Sequence, residues 1–397
     1  MKLCYAVLHY DPSHTDPGEY LSQTPIHREL PREMARLGHQ VEVIHLFPID
    51  AEFVEDGVRY RFIAPGLPAR LSSRVVSRLF SRRDPAVYEP AARAIGAIRA
   101  SRPDLIHFHS VTLHWNLFLL LQALVPKAPP LVLHYHGGYP ASNPLAKWVQ
   151  RFNFGHADRL LFTTTEHALP FLKAGILKGT GRLVEFMETS SSFRPQPRTE
   201  ARRATGMGGD PVFLWVGRLD PIKDPLTALR GFEQIALSWP QARLYLHYLT
   251  DELLPEMQAF VAAHPHLVGR VEFRGRAPFD RMEQIYNSAD FLLQASHREF
   301  SGCAVLEAMA CGVIPVVTDI PSFRRMTDGG RYGVLFPPGD AQIMASRTLD
   351  VATTDIPARS TEVRRHFECA LSFPALAMQL HAIYRDLAES EWLGRNR

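Results

Sequence analysis

EFSGCAVLE, residues 299–307, is the stretch on which the reading of the fold turns. Glu299 and Glu307 stand eight positions apart, with Ser301 and Gly302 between them and an apolar run leading into Glu307. The pattern predicts a loop carrying one carboxylate and a helix carrying the other, two turns up. Between the two lie the open N–H groups of a helix start, which favour anions. Taken by itself, the segment also fits a capped surface helix, with Ser301 as cap, Leu306, Ala308 and Met309 in the core, and Glu307 in water. The neighbours decide between these. β-rich runs at 291–294 and 314–318 enclose the helix between two strands, the order expected of a parallel α/β layer.

The same alternation extends outward in both directions. Further strands are expected at 212–216, 243–249, 271–274 and 334–336, and in the first half at 3–9, 41–46, 59–63, 105–109, 131–135, 159–163 and 183–186. Their apolar content suits strands buried on both faces. Helical patterns lie between them, such as 26–37 and 90–100, the first disturbed by Pro31. Between 188 and 210 the pattern fails in a polar stretch with Pro195, Pro197 and several glycines, which reads as a linker. The expected organisation is an α/β chain: residues 1–190 as one doubly wound, Rossmann-like domain, 191–210 as linker, and 211–371 as a second such domain. A last helix follows at 372–397, with apolar Leu376, Leu380, Ile383, Tyr384 and Leu387. Two such domains facing across a cleft would present their strand carboxyl ends there, where ligands normally bind.

Bulk composition agrees and excludes other classes. A chain of 397 residues with 46% hydrophobic content supports two domains with real cores. Lys plus Arg exceeds Asp plus Glu by only 44 to 41, too small an excess for a nucleic-acid partner. Cys4, Cys303, Cys311 and Cys369 show no C-x-x-C spacing and read as thiols in a reducing compartment. The start MKLCYAVLHY is too short for a signal peptide, and no apolar run reaches the ~18–20 residues of a membrane span. The expected location is therefore cytoplasmic.

Two sets of residues carry chemistry. In VFLWVGRLDPIKD, 212–224, an apolar strand ends at Gly217, and Arg218 and Lys223 follow at the carboxyl edge of the sheet. Arginine grips phosphate bidentately and lysine adds a point charge, so the pair could neutralise a diphosphate without a metal. The chain holds no D-x-D, the usual carboxylate pair for a metal beside a nucleotide diphosphate. No metal and no cofactor are expected. The bland alternative is two surface cations near a turn. In the first half, HFHS (107–110) and HYHGG (134–138) end apolar strands and place His109 and His136 at the edge, while Gly137 and Gly138 permit close backbone approach. His107 and His134 read best as satisfied core histidines. A metal on the i, i+2 histidine pairs would need a third ligand that the sequence does not place. Finally, RLSSRVVSRLFSRRD, 70–84, sets Arg70, Arg74, Arg78 and Arg82 beside an apolar stripe. This is a solvated domain helix or, through 70–83, a peripheral contact with an anionic membrane.

Phosphate-binding cations, paired carboxylates and a helix start together suit a ligand with phosphates and several hydroxyls, and a nucleotide sugar is the natural candidate. With these residues collected, the chain resembles the retaining glycosyltransferases of family four, which have the GT-B fold. GRLDPIKD resembles their G-R-L…K-G motif, with Asp224 where glycine is usual. EFSGCAVLEAMACGVIPVV resembles their signature of two glutamates with seven residues between them, followed by E-A-M-A-x-G-x-P-V-V, and GVLFPPGD their G-x-L-x-x-P-x-D. LGHQVEVI, DLIHFHS and LVLHYHGG resemble motifs of the first domain. The resemblance implies that Arg218 and Lys223 hold the donor diphosphate, Glu307 the ribose hydroxyls, and Glu299 the donor sugar. It implies that Gly217 and the backbone from Gly302 through Cys303 and Ala304 to Val305 face the donor, with His136 and Gly137 lining its sugar from the opposite domain. The last helix resembles one that crosses back onto the first domain. Two departures bear on the acceptor: the loop after the first strand has only Gly18, and the family's N-G-V-D is replaced by ETSSSF, 188–193.

The implied activity is retaining, metal-independent transfer of a sugar from a nucleotide-diphosphate sugar to a glycan or lipid-linked acceptor, as in polysaccharide biosynthesis. The enzyme would be cytoplasmic and could be peripheral at the inner face of the membrane. A nucleotide-sugar epimerase of the same fold and a non-catalytic nucleotide-sugar binding protein stand as alternatives.

Overall fold

The structure is a computed structural model that describes residues 1–66, 91–110, 114–126, 128–352 and 355–395. The arginine-rich segment 70–83 lies outside the described residues. Contacts cluster in two compact units: Met1–Thr189 with Leu376–Arg397, and Ser190–Ala375. Among the described residues no helix is long and apolar enough to cross a membrane.

Unit 1 is built on β1 (Lys2–Val7), β2 (Gln40–Leu46), β3 (Ala51–Glu55), β4 (Val58–Ile63), β5 (Leu105–His109), β6 (Leu131–His134), β7 (Arg159–Phe162) and β8 (Leu183–Glu185). They form an eight-stranded sheet in the order β3-β4-β2-β1-β5-β6-β7-β8. Every pair is parallel except β3 with β4. All five residues of β5 are buried, as both-faced packing requires. The sequence reading missed β3. Its signal was present: Asp56-Gly57 between two alternating runs, both residues at positive φ, the turn that closes a two-residue hairpin. Pro31 does not kink the first helical pattern, expected at 26–37, whose helix begins later than expected. That helix runs Glu29–Arg36, so Pro31 falls in the first turn, where its missing N–H costs nothing. The helix Phe373–Arg395 contributes Leu376, Leu380, Tyr384 and Leu387 to the core of unit 1 at helical spacing.

Unit 2 has β9 (Val212–Gly217), β10 (Arg243–Tyr248), β11 (Val271–Gly275), β12 (Phe291–Gln294), β13 (Ile314–Thr318) and β14 (Val334–Phe336). The order is β11-β10-β9-β12-β13-β14, parallel throughout. The chain lays strands outward from β9 on one side, then returns to lay β12 against β9 and continues on the other. The order therefore reverses between β9 and β12, and the carboxyl ends of these two strands flank the reversal.

Within the stretch read as linker, the structure has a helix, Arg198–Thr205, that ends in the left-handed Gly206. Two of its arginines explain its place. Arg198 and Arg202 pair with the two oxygens of Asp290 at 2.8 and 2.7 Å, and the backbone N–H of Val212 donates to the same carboxylate at 2.7 Å. The polar composition that suggested a linker is a helix held by charge rather than by apolar burial; Ala201 is its buried residue. Asp290→Ala would strand two guanidinium groups and the first amide of β9. We expect a loss of about 3 kcal/mol in unfolding free energy, measured by urea denaturation. A loss below about 1 kcal/mol would contradict this role.

Candidate functional site

The switch point of unit 2 gathers most of the residues singled out from the sequence. β9 ends at Gly217, where a Cβ would stand 3.1 Å from the Trp215 ring, and Arg218 follows. Arg218 is half-exposed, and its Nε donates to Asp220 Oδ2 at 2.7 Å. The other oxygen of Asp220 accepts the backbone N–H of Lys223 at 2.9 Å. One carboxylate thus sets both the guanidinium and the loop that carries the lysine. Partial burial pushes the Asp220 carboxyl up, but Arg218 and the Lys223 amide outweigh it and hold it below the usual range. Asp220 lay inside the quoted motif without a role. Its signal was the position, two after one cation and three before the other.

The lysine side chain reaches Glu299, and Lys223 Nζ donates to Glu299 Oε1. Ser296, just past β12, donates to the same oxygen at 2.8 Å, and Ser322 Oγ donates to the Glu299 carbonyl at 2.8 Å. Gln294 Nε2 donates to the carbonyl of Val216 at 2.7 Å and ties the ends of β12 and β9 together. Lys223 and Glu299 are therefore a half-buried ion pair spanning the reversal of strand order. Asp224, standing where glycine is usual in the related motif, has φ +43°, a conformation that aspartate tolerates better than most residues. It also begins the helix Pro225–Ser238, accepting the Thr227 N–H at 3.1 Å.

The two glutamates sit as expected in kind, with two corrections. The helix is Cys303–Ala310, so Glu307 stands just over one turn up rather than two. Ser301 makes no side-chain cap. Gly302 takes the capping position at φ +60°, and a Cβ there would meet the Phe323 ring at 2.7 Å. Only glycine fits this backbone against this ring, which brings the N-terminal N–H groups of the helix to the carboxyl edge of β12. Ala304 is half-buried, Cys303 is exposed and Val305 is buried. Nor is Glu307 the exposed residue of a capped surface helix. Burial pushes its carboxyl up to about 7, and the neighbouring Tyr286 hydroxyl draws it only part of the way back.

His136 and Gly137 belong to unit 1. There the ends of β5 and β6 form a layer of imidazoles. His109 and His136 meet through Nδ1 and Nε2 at 2.8 Å, and His136 Nδ1 lies 3.4 Å from Glu188 Oε1. His107 and His134 meet at 3.1 Å, and His107 Nδ1 meets the Tyr384 hydroxyl, which in turn donates to Tyr5 at 3.4 Å. Burial pushes His107 down to about 3 and His109 and His134 well below the ordinary range, so these rings are neutral. The sequence placed no third histidine beside the 107/109 pair, but the fold does. Nitrogens of His107, His109 and His134 lie within 4.8 Å of one another; His107 meets His134 and Tyr384, His109 meets His136, and the Nε2 atoms of His109 and His134 are buried without a hydrogen-bond partner among the described residues. Glu188, the first residue of the segment that departs from the related N-G-V-D, was not singled out as a site residue; it became legible only when β8 placed it beside His136.

Comparison with known proteins bears on this geometry. Residues 210–354 match the family described as Glycosyl transferases group 1, and residues 24–178 match the Glycosyl transferase 4-like domain. A D-inositol 3-phosphate glycosyltransferase of Thermobispora bispora is 28% identical over 207 residues, 50% of this chain and 48% of that protein. The chain spans about half the length of several such curated relatives. A GDP-mannose:cellobiosyl-diphosphopolyprenol alpha-mannosyltransferase of Xanthomonas campestris is 25% identical, with 69% of this chain and 71% of that protein covered. The solved structure of Anabaena HepE in complex with UDP and glucose superposes with a TM-score of 0.66 at 15% identity, covering 97% of this chain and 100% of that one. Likeness at that level shows the fold, which is GT-B.

The shifted Glu307 carboxyl has a measurable consequence. A glutamate in the unfolded chain ionises near 4.5, and the folded value lies above it, so folding favours the protonated form. That contribution is whole below about pH 4.5 and is lost as pH rises to about 7. Glu307→Gln stays neutral and should escape the loss. The stability difference, variant minus wild type, should grow by on the order of 3 kcal/mol between about pH 4 and 8 in parallel denaturant melts. A flat difference would show that the carboxyl is not desolvated.

Proposed function

We infer the function from one premise: this chain belongs to the glycosyl transferases of group 1. It transfers a sugar from a nucleoside-diphosphate sugar to a hydroxyl of a glycan or lipid-linked acceptor, with retention at the anomeric carbon and without a metal at the diphosphate. The observation that carries this reading is the Lys223–Glu299 pair set across the switch point of unit 2, with Arg218 fixed beside it by Asp220. Two cations in the loop that follows the carboxyl end of β9, beside the helix start that follows β12, are placed for an anionic ligand.

In this reading Arg218 and Lys223 hold the diphosphate. Glu307 receives the ribose hydroxyls, and Glu299 meets the donor sugar. Gly217, Gly302, Cys303, Ala304 and Val305 bring backbone to the donor, and His136 and Gly137 line the sugar. The acceptor oxygen bonds to the anomeric carbon on the face from which the phosphate oxygen departs. The acceptor proton passes to that departing oxygen, so no side-chain base is needed. Arg218 and Lys223 stabilise the charge growing on the leaving diphosphate, acting as oxyanion-hole donors do. The Asp220 hydrogen bond orients the guanidinium beforehand, which removes a reorganisation step from the reaction.

Support for the acceptor class comes from the relatives' names, which specify an inositol phosphate and a diphosphopolyprenol-linked glycan. A polyprenol-linked acceptor places the enzyme on the inner face of the membrane, in polysaccharide assembly, with 70–83 as one peripheral contact. Arg218→Ala should lower kcat/KM for the working nucleotide sugar about a hundredfold, corresponding to about 3 kcal/mol of transition-state stabilisation. Its melting temperature should stay near that of wild type, because the side chain is half-exposed. An activity loss below about tenfold would remove Arg218 from the role given to it.

A further inference from the structure

The helix Pro144–His156 of unit 1 buries polar side chains beside apolar ones and exposes large apolar side chains. Its inward face carries Val149, Gln150, Asn153 and Phe154, and Gln150 and Asn153 are each only 1% exposed. Its outward face carries Leu145 at 59% and Trp148 at 53% exposure. Gln150 is accommodated because its Oε1 accepts the backbone N–H of Ala141 at 2.9 Å. A helix that serves only the core of its own domain turns its apolar stripe inward. Here two polar residues are buried inside while a tryptophan and a leucine face out. The outward patch continues onto the neighbouring helix His114–Leu124, where Phe118 lies 6.0 Å from Trp148 and 5.3 Å from Phe152, and Leu119 is 47% exposed.

Charge identifies the occupant. From 105 to 157 the chain contains no Asp or Glu, while Lys147 and Arg151 lie on the helix itself, one turn apart beside Trp148. Exposed aromatic and aliphatic groups flanked by cations, with no anion near in sequence, match the interfacial layer of an anionic bilayer. Tryptophan settles at headgroup depth, and Lys and Arg meet the lipid phosphates. We propose that the outward face of the helix Pro144–His156 docks unit 1 onto an anionic lipid surface. The residues of this face are other than the segment 70–83. It deepens the acceptor half of the function proposed above, and rests on that reading only for the lipid-linked nature of the acceptor.

The experiment is co-sedimentation of the full chain with vesicles of phosphatidylglycerol mixed with phosphatidylcholine, and of phosphatidylcholine alone. Three proteins are compared: wild type, Leu145→Ser/Trp148→Ser, and Lys147→Glu. Thermal melts confirm that each is folded. Wild type should bind the anionic vesicles and release them at high salt. The double variant should partition at least about tenfold more weakly, since two half-buried apolar side chains are lost from the contact. Lys147→Glu should lose the preference for phosphatidylglycerol. Equal binding by wild type and the double variant, or no binding by either, overturns the proposal. A shift from dimer to monomer in the double variant, with no change in vesicle binding, would make the face a self-association surface and equally overturn it. Nucleotide binding by unit 2 is read separately, so failure here leaves the donor chemistry standing.

Discussion

Reversal of strand order between β9 and β12 is the constraint on which the site depends. In a parallel sheet wound outward from one strand and then outward again on the other side, the loops leaving two adjacent strands diverge to opposite faces. The gap they leave at the carboxyl edge cannot be closed by the sheet itself. In this chain Gln294 reaches across it to the Val216 carbonyl, and Lys223 reaches across it to Glu299. The first contact is structural and belongs to strand ends. The second joins two charges that a binding site can redeploy. Position, more than any single residue type, is what makes these side chains candidates.

The electrostatics of the site follow from that position. Near the switch point, Arg218 is matched by Asp220 and Lys223 by Glu299, so each charge has a partner before any ligand arrives. Paired, half-buried charges tolerate partial removal from water, whereas either member alone would not. An incoming diphosphate would compete for Lys223 with a carboxylate that itself has Ser296 to fall back on. Glu307 is different. Its carboxyl is desolvated with no cation among the causes of its shift, so hydroxyl donors from a ribose would supply what burial withholds. The imidazoles of unit 1 are held uncharged by burial and are hydrogen-bonded in pairs.

Much of this was legible in the sequence because parallel strands buried on both faces read as continuous apolar runs. Leu105–His109, Phe291–Gln294 and Val334–Phe336 match their expected bounds. Local backbone chemistry was harder to see. The Asp56-Gly57 hairpin was overlooked because β3 is short, carries two glutamates in five residues and stands at the edge of the sheet. Asp224 looked like a departure from its motif until its positive φ showed that it meets the same backbone demand as glycine. Burial of Glu307 was out of reach: whether a helical glutamate faces water depends on Tyr286, twenty-one residues away on another helix. The helix Arg198–Thr205 was hidden for the same reason, since its partner Asp290 is remote in sequence.

The measurement that tests the central claim most directly is binding of UDP-, GDP- and ADP-sugars and the bare nucleotides, read as a shift in melting temperature with a metal chelator present. At a hundred times its dissociation constant, one nucleotide class should stabilise the chain by about 2.7 kcal/mol, a shift of some degrees. The shift should vanish in a Lys223→Ala variant that melts normally without ligand. The absence of any shift across the panel, or a shift that persists unchanged in the variant, would contradict a donor site at the switch point of unit 2.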